Sequence, residues 1–346
     1  MIEYVSGDII QCQAQALVNT VNCVGVMGRG IALQFKNAYP DNFKAYEKAC
    51  KEKLVQVGRM FVFETGTLTN PQFIINFPTK QHWRYPSRME YIEKGLLDLV
   101  NVICKYNIQS IAIPPLGAGL GGLDWQKVRS LIVNTLQNLS NVQIMVFEPQ
   151  GSPSNEKMAH SLKTPNMTKG RAILINFIDK YCRAGLDPFI TLLEIHKLMY
   201  FIQEIGEPLR LQYNKSHYGP YAENLRQVMN VIEGHFITGY ADGGDNPYKE
   251  IELKANAVEQ AQVCLSHHQD SQERFERVIK LIDGFETPDA LELLATVHWV
   301  MKKEQVSSEC EVQKAVHAWN ERKQKFSPRK IELARKRLIE QGWCSA

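Results

Sequence analysis

The chain has 346 residues, 44% of them hydrophobic and 22% charged, with a formal net charge of +3. That length exceeds one ordinary hydrophobic core, so two domains are expected. The charge is too small to prove a nucleic-acid partner, and no run of about 18 uncharged apolar residues marks a membrane span. The start, Met1-Ile-Glu-Tyr-Val-Ser-Gly-Asp8, lacks the basic and apolar regions of a secretory signal. Cysteines at 12, 23, 50, 104, 182, 264, 310 and 344 form no Cys-x-x-Cys and pair with no histidine at zinc spacing. They read as reduced thiols in a cytoplasmic protein, with no metal site.

In chain order, short apolar segments predict strands at 2–5, 16–20, 60–64, 73–77, 110–113 and 142–147. Amphipathic periodicity predicts helices at about 30–38, 42–54, 88–106 and 125–139, the last with Asp124 as its N-cap. This alternation predicts a three-layer α/β domain. Two glycine-rich loops follow predicted strands. The first reads Asn22-Cys-Val-Gly-Val-Met-Gly-Arg-Gly-Ile-Ala32, and the second reads Pro114-Pro-Leu-Gly-Ala-Gly-Leu-Gly-Gly-Leu123. Glycine tolerates positive φ and lets backbone N–H groups close on an anion. Each loop runs into a predicted helix, whose N-terminus adds unpaired donors and a positive dipole end. Two such cradles suggest a diphosphate held from both sides. Neither matches a P-loop or the dinucleotide fingerprint, so the residues alone reach only a phosphorylated ligand on an α/β fold.

Pro149 to Thr168 carries prolines, serines and asparagines and reads as a linker, most of it at 151–167. Beyond it the pattern turns helical, at 172–182, 191–205, 221–232, 255–265, 271–284, 289–302, 312–319 and 328–340, with a loop at 240–247. Net charge is +3 over residues 1–150, −5 over 151–320 and +5 over 321–346. Solvated helix faces account for such values.

The motifs of residues 1–148 resemble a macrodomain, the ADP-ribose-binding α/β fold with a mixed sheet. The resemblance implies that Gly7-Asp8-Ile9 recognises adenine, with the Asp8 carboxylate accepting from its amino group. It implies that Asn22, Gly28, Gly30, Ile31 and Ala32 hold the distal ribose and phosphates. Gly117, Ala118, Gly119, Leu120 and Gly121 would form the second phosphate loop, and Phe147 would stack on adenine. Asn76-Phe-Pro-Thr-Lys80-Gln-His-Trp-Arg84, with Ser87 and Tyr91-Ile-Glu-Lys-Gly-Leu-Leu97, is similar to the terminal ADP-ribose glycohydrolase branch, whose catalytic lysine falls at Lys80. Human-type members also carry an aspartate where this chain has Gly121, which puts a Lys/Asp pair in doubt.

Within that branch the chain looks most like antitoxins that reverse thymine ADP-ribosylation of single-stranded DNA by a DarT-like ADP-ribosyltransferase toxin. From the residues themselves, Phe77, Pro78 and Trp83 are positioned in sequence to desolvate the Lys80 amine and lower its pKa. The run His82-Trp83-Arg84-Tyr85 offers rings for bases and a cation for phosphate, or alternatively a packed aromatic flank. In the second half, Leu193-Glu-Ile-His-Lys-Leu-Met-Tyr-Phe-Ile-Gln203 and His217-Tyr-Gly-Pro-Tyr221 resemble the Panacea-type antitoxin domain, which implies toxin binding. His196 reads as a hydrogen-bonded structural histidine, and Tyr218-Gly-Pro-Tyr221 as a turn opening a helix. The expected protein is thus a DNA ADP-ribosyl glycohydrolase with a mainly α-helical toxin-binding domain over 168–346. It would need no cofactor, metal or membrane and would release ADP-ribose. The rivals are a non-catalytic ADP-ribose reader and a hydrolase of protein glutamate esters.

Overall fold

The computed structural model of the protein describes residues 1–149, 164–184, 189–241 and 243–345. The chain separates into two compact units, Met1–Leu162 with Asp242–Gly244 and Lys163–Ala241 with Asp245–Ala346. Most of the expected linker lies outside the described residues.

The first unit runs β1 Ile2–Val5, β2 Ala16–Asn22, α1 Gly30–Ala38, α2 Pro40–Lys51, β3 Phe61–Glu64, β4 Phe73–Lys80, α3 Met89–Lys105, β5 Ser110–Ile113, α4 Trp125–Leu136 and β6 Gln143–Phe147. Its sheet has the order β1-β6-β5-β2-β4-β3. Neighbours are parallel except β3, which runs antiparallel to β4. Parallel strands carry helices on both faces and so read as continuous apolar runs. Side-chain alternation then sorts each strand between two cores. Ala16, Val18, Ile75 and Phe77 pack with Ile92, Leu96, Val128 and Ile132 of α3 and α4. Leu17, Ile74 and Ala112 face Ile9, Phe35 and Phe147. Gly95 lets α3 approach β4, since a Cβ there would stand 2.3 Å from the Phe77 ring.

The strands extend further than periodicity predicts. β2 continues to Asn22 and β4 to Lys80, and these two residues are register partners across a slip at Val21. Lys80 is therefore the last residue of a central strand. Asp124 caps α4 as expected, its carboxylate accepting from the N–H of Gln126 at 2.9 Å and of Lys127 at 3.5 Å.

The second unit is mainly helical, with small sheets. It comprises α5 Lys169–Ala184, β7 Ile190–Thr191, α6 Leu192–Glu204, β8 Tyr213–Ser216, β9 Gly219–Ala222, α7 Leu225–Ile232, β10 Ile237–Thr238, β11 Glu250–Leu253, α8 Ala257–Ser266, α9 Gln269–Ile282, α10 Pro288–Lys303, α11 Glu309–Ala318 and α12 Pro328–Glu340. Helix α6 is its axis and is buried from Leu192 to Ile202. Thr191 and Glu194 close a capping box at its start.

Tyr218-Gly-Pro-Tyr221 does not open a helix. It forms the tip and second strand of the β8–β9 hairpin, with Ser216 paired to Gly219, and α7 starts only at Leu225. Gly219 takes φ +93°, and a Cβ there would lie 2.9 Å from Thr296 Oγ1. The Pro220 carbonyl accepts from the buried Lys197 amine at 2.6 Å. Tertiary docking, not local turn chemistry, decides this segment. His196 is buried as expected and stacks on Tyr221 at 4.3 Å between ring centroids. Its Nδ1, however, has no hydrogen-bond partner among the described residues, contrary to the expectation of a satisfied ring. Deeper in the core, Glu292 accepts from Lys323 at 2.5 Å and from Arg322 at 3.0–3.2 Å.

Candidate functional site

The two glycine-rich loops leave the carboxyl ends of β2 and β5, the usual ligand edge of an open α/β sheet. Loop 1 is held from inside. Asn22 donates to Val26 O at 2.6 Å and accepts from the N–H of Val24 and Val26, while Tyr46 donates to the Asn22 carbonyl at 2.6 Å. The Asn22 side chain is thus spent on shaping the loop. Met27 plugs it into the core at 2% exposure, below which Asn19, Asn76 and Asn42 form a buried amide chain. No side chain caps the N-terminus of α1 at Gly30, Ile31 and Ala32, so that turn keeps its own donors for an anion. Gly28 and Gly30 are half-buried.

Loop 2 closes on itself. Leu123 N–H donates to Gly117 O, Gly122 N–H to Gly119 O and Ala118 N–H to Pro115 O, each near 3.0–3.2 Å. Its tip is open: Gly119 is exposed, with space where a Cβ would stand, and the Leu120 side chain is 66% exposed. Leu120 leans toward loop 1, since a Cβ on Gly30 would be 3.5 Å from its Cδ1. Gly121 is different. It is buried, and a Cβ there would stand 2.2 Å from Gly117 O and 2.4 Å from Ser87 Oγ. No aspartate fits this position in this loop.

Lys80 joins the loops. Its Nζ donates to Leu120 O at 2.6 Å. Burial first, and then the positive charge of Arg29, hold its pKa below the ordinary lysine value. Of the three residues expected to desolvate it, Phe77 turns the other way, into the core under α3. Arg29 is the residue that sequence reasoning missed. Its only signal was a cation between two glycines, Gly28-Arg-Gly30.

After Lys80 the chain makes an aromatic turn. His82 stacks on Trp83 at 5.4 Å and contacts Tyr85 at 5.3 Å, and Arg84 lies over the Trp83 ring at 4.6 Å. Tyr85 is 60% exposed. This is a surface cluster, not a flank packed into the core. After β1, Asp8 accepts from Ile10 N–H at 2.9 Å and so starts a 3-10 turn. The Ile9 side chain goes to the core, and Phe147 is 8% exposed beside it. Among the described residues no three His, Cys, Asp or Glu side chains gather to hold a metal, and no helix is long and apolar enough to cross a membrane.

The family model of the Macro domain matches residues 18–132, which span both loops and Lys80. A Thermus aquaticus protein named DNA ADP-ribosyl glycohydrolase is 44% identical over 342 residues, covering 99% of this chain and 94% of its own. The chain belongs to the DNA ADP-ribosyl glycohydrolase family. The match runs through both units, so the second unit is part of the family's shared architecture. The solved macrodomain of Mycobacterium tuberculosis DarG is 57% identical and covers 43% of this chain and 99% of its own, with a TM-score of 0.43. A Thermosipho africanus protein, named as a fusion of a DNA ADP-ribosyl transferase with a DNA ADP-ribosyl glycohydrolase, is 32% identical over 163 residues. That match covers 43% of this chain and 42% of the fusion. The fold of this glycohydrolase is the macrodomain read from its sequence, followed by a largely helical unit.

Proposed function

We propose that the protein is the antitoxin of a DarT–DarG type pair, and that its first unit removes ADP-ribose from thymine bases in single-stranded DNA. The observation that carries this reading is the Lys80 amine. It has a lowered pKa, stands at the end of a central strand and is hydrogen-bonded to the tip of loop 2. The diphosphate lies between the loop backbones, with adenine toward Asp8 and Phe147. The proximal ribose then comes to Lys80, and the aromatic turn at His82, Trp83 and Arg84 takes the DNA strand through stacking and phosphate contact.

Two balanced steps fit this geometry. In one, the neutral Lys80 amine attacks C1″, the C1″–base bond breaks with its electron pair leaving on the base, and water later hydrolyses the adduct. In the other, the Lys80 ammonium gives its proton to the departing base while water takes C1″ and loses a proton to solvent. Either way Lys80 acts without a carboxylate partner, in keeping with the closed space at Gly121.

The second unit binds and neutralises the toxin. The Thermosipho relative supports this pairing, because there a transferase and a glycohydrolase share one chain. The deciding assay gives the protein an ADP-ribosylated single-stranded oligonucleotide and, separately, a glutamate-ADP-ribosylated protein, with free ADP-ribose as the readout. Release from the oligonucleotide alone is expected. Release only from protein refutes the DNA assignment, and binding without release refutes the enzyme. For the second unit, capture of the toxin by residues 168–346 is the expected result. Capture by residues 1–150 but not by a folded 168–346 fragment refutes the division.

A further inference from the structure

Loop 2 has a second polar contact besides Lys80. Ser87, between β4 and α3, is 6% exposed, and its Oγ has no hydrogen-bond partner among the described residues. Buried hydroxyls are almost always paired, so an orphan one calls for a reason. Its surroundings supply one. The Ser87 N–H donates to Gly121 O at 3.0 Å, while Lys80 donates to the preceding carbonyl, Leu120 O, at 2.6 Å. Two successive carbonyls of the loop, Leu120 O and Gly121 O, are thus held, the first by Lys80 and the second by Ser87. Ser87 also fills the inside of the loop base, because a Cβ at Gly121 would be 2.4 Å from its Oγ and one at Gly117 would be 3.0 Å from its Cβ. A fixed base on Ser87 carries an open tip at Gly119 and Leu120.

We infer that Ser87 is a positioning residue of the reaction: loop 2 closes on the diphosphate against it, and its hydroxyl gains a partner only in the ligand-bound loop. The inference rests on the ADP-ribose reading of the cleft. In the structure the Leu120 carbonyl occupies the Lys80 amine and the Ser87 hydroxyl has no partner among the described residues. When loop N–H groups turn to the diphosphate, the Leu120–Gly121 peptide turns with them. Lys80 is then released toward the ribose, and a loop polar group comes within reach of Ser87 Oγ. The orphan hydroxyl disfavours the resting loop and so favours the loaded one.

The test compares Ser87→Ala and the near-isosteric Ser87→Cys with wild type in the full chain. Thermal midpoint, ADP-ribose affinity by calorimetry and cleavage of an ADP-ribosylated single-stranded oligonucleotide are measured. Both variants should keep the wild-type midpoint or exceed it, because a buried unpaired hydroxyl has been removed. Both should bind ADP-ribose about tenfold more weakly and cleave the oligonucleotide more slowly. Wild-type affinity in both variants overturns the inference. So does lost affinity accompanied by a lowered midpoint, which would mean that Ser87 only supports the fold. Absence of cleavage by wild type overturns the proposed function instead, while the affinity and midpoint comparison still decides the role of Ser87.

Discussion

A negative charge placed at Gly119 should abolish most ligand binding while leaving the fold alone. Gly119 is exposed, its φ lies outside the left-handed region, and a Cβ there would meet nothing within 4 Å. Gly119→Ala should therefore bind ADP-ribose within about twofold of wild type. Gly119→Glu puts a carboxylate where the proposed function places the two phosphates. At a separation of ~6 Å and an effective dielectric of ~40, each phosphate charge costs ~1.4 kcal/mol. The pair costs ~3 kcal/mol, which salt screening reduces to ~2 kcal/mol, or ~30-fold in Kd. Gly121→Ala is the contrasting variant. Its Cβ would collide with Gly117 O at 2.2 Å, a backbone atom that cannot step aside, so loop 2 must open and binding should fail without added charge. Calorimetry with free ADP-ribose, alongside thermal melts, separates the three. Gly119→Glu with wild-type affinity would remove loop 2 from the ligand site, and equal losses for Gly119→Ala and Gly119→Glu would show that shape, not charge, is responsible.

Lys80→Ala should lower release of ADP-ribose from modified DNA by about 10²–10⁴-fold, with free ADP-ribose affinity changed about threefold at most. Near-normal turnover would end the catalytic assignment, and borohydride trapping of an adduct on Lys80 would select the nucleophilic step over the proton-donating one. Asp8→Ala should weaken ADP-ribose about tenfold but ribose 5-phosphate hardly at all, since only the former carries adenine; equal losses contradict the adenine contact. In the second unit, burial lowers the pKa of His298 from 6.5 to about 3, with Lys302 and Lys303 adding to the effect. The folded state thus keeps His298 neutral while the unfolded chain protonates below pH 6.5. Its contribution is intact above pH 6.5 and is lost as pH falls toward 3, at up to ~1.4 kcal/mol per pH unit. Urea midpoints measured from pH 7.5 to 4 should fall less steeply in His298→Gln; identical slopes would show that His298 does not titrate on unfolding.

The sequence by itself determined most of the first unit. Alternating apolar segments and amphipathic helices specify a covered sheet, because only strands buried on both faces can be continuously apolar. Glycines at strand ends specify where backbone can close on an anion. Lys80 was singled out only through resemblance, since one lysine in a chain with 40 Lys and Arg side chains carries no signal of its own. What surrounds Lys80 was not legible. Residues 29, 80, 87 and 120 are brought together by β4 ending opposite β2 and by loop 2 folding over, and such distances have no local code. The same holds for Tyr218-Gly-Pro-Tyr221. Its dipeptides announce a turn in any context. Whether that turn opens a helix or tips a hairpin was decided by Thr296, which leaves room only for a glycine at 219, and by the Lys197 amine on the Pro220 carbonyl. Periodicity records which face of an element is buried. Which partners it is buried against, and so which polar groups meet, is fixed only when the elements pack.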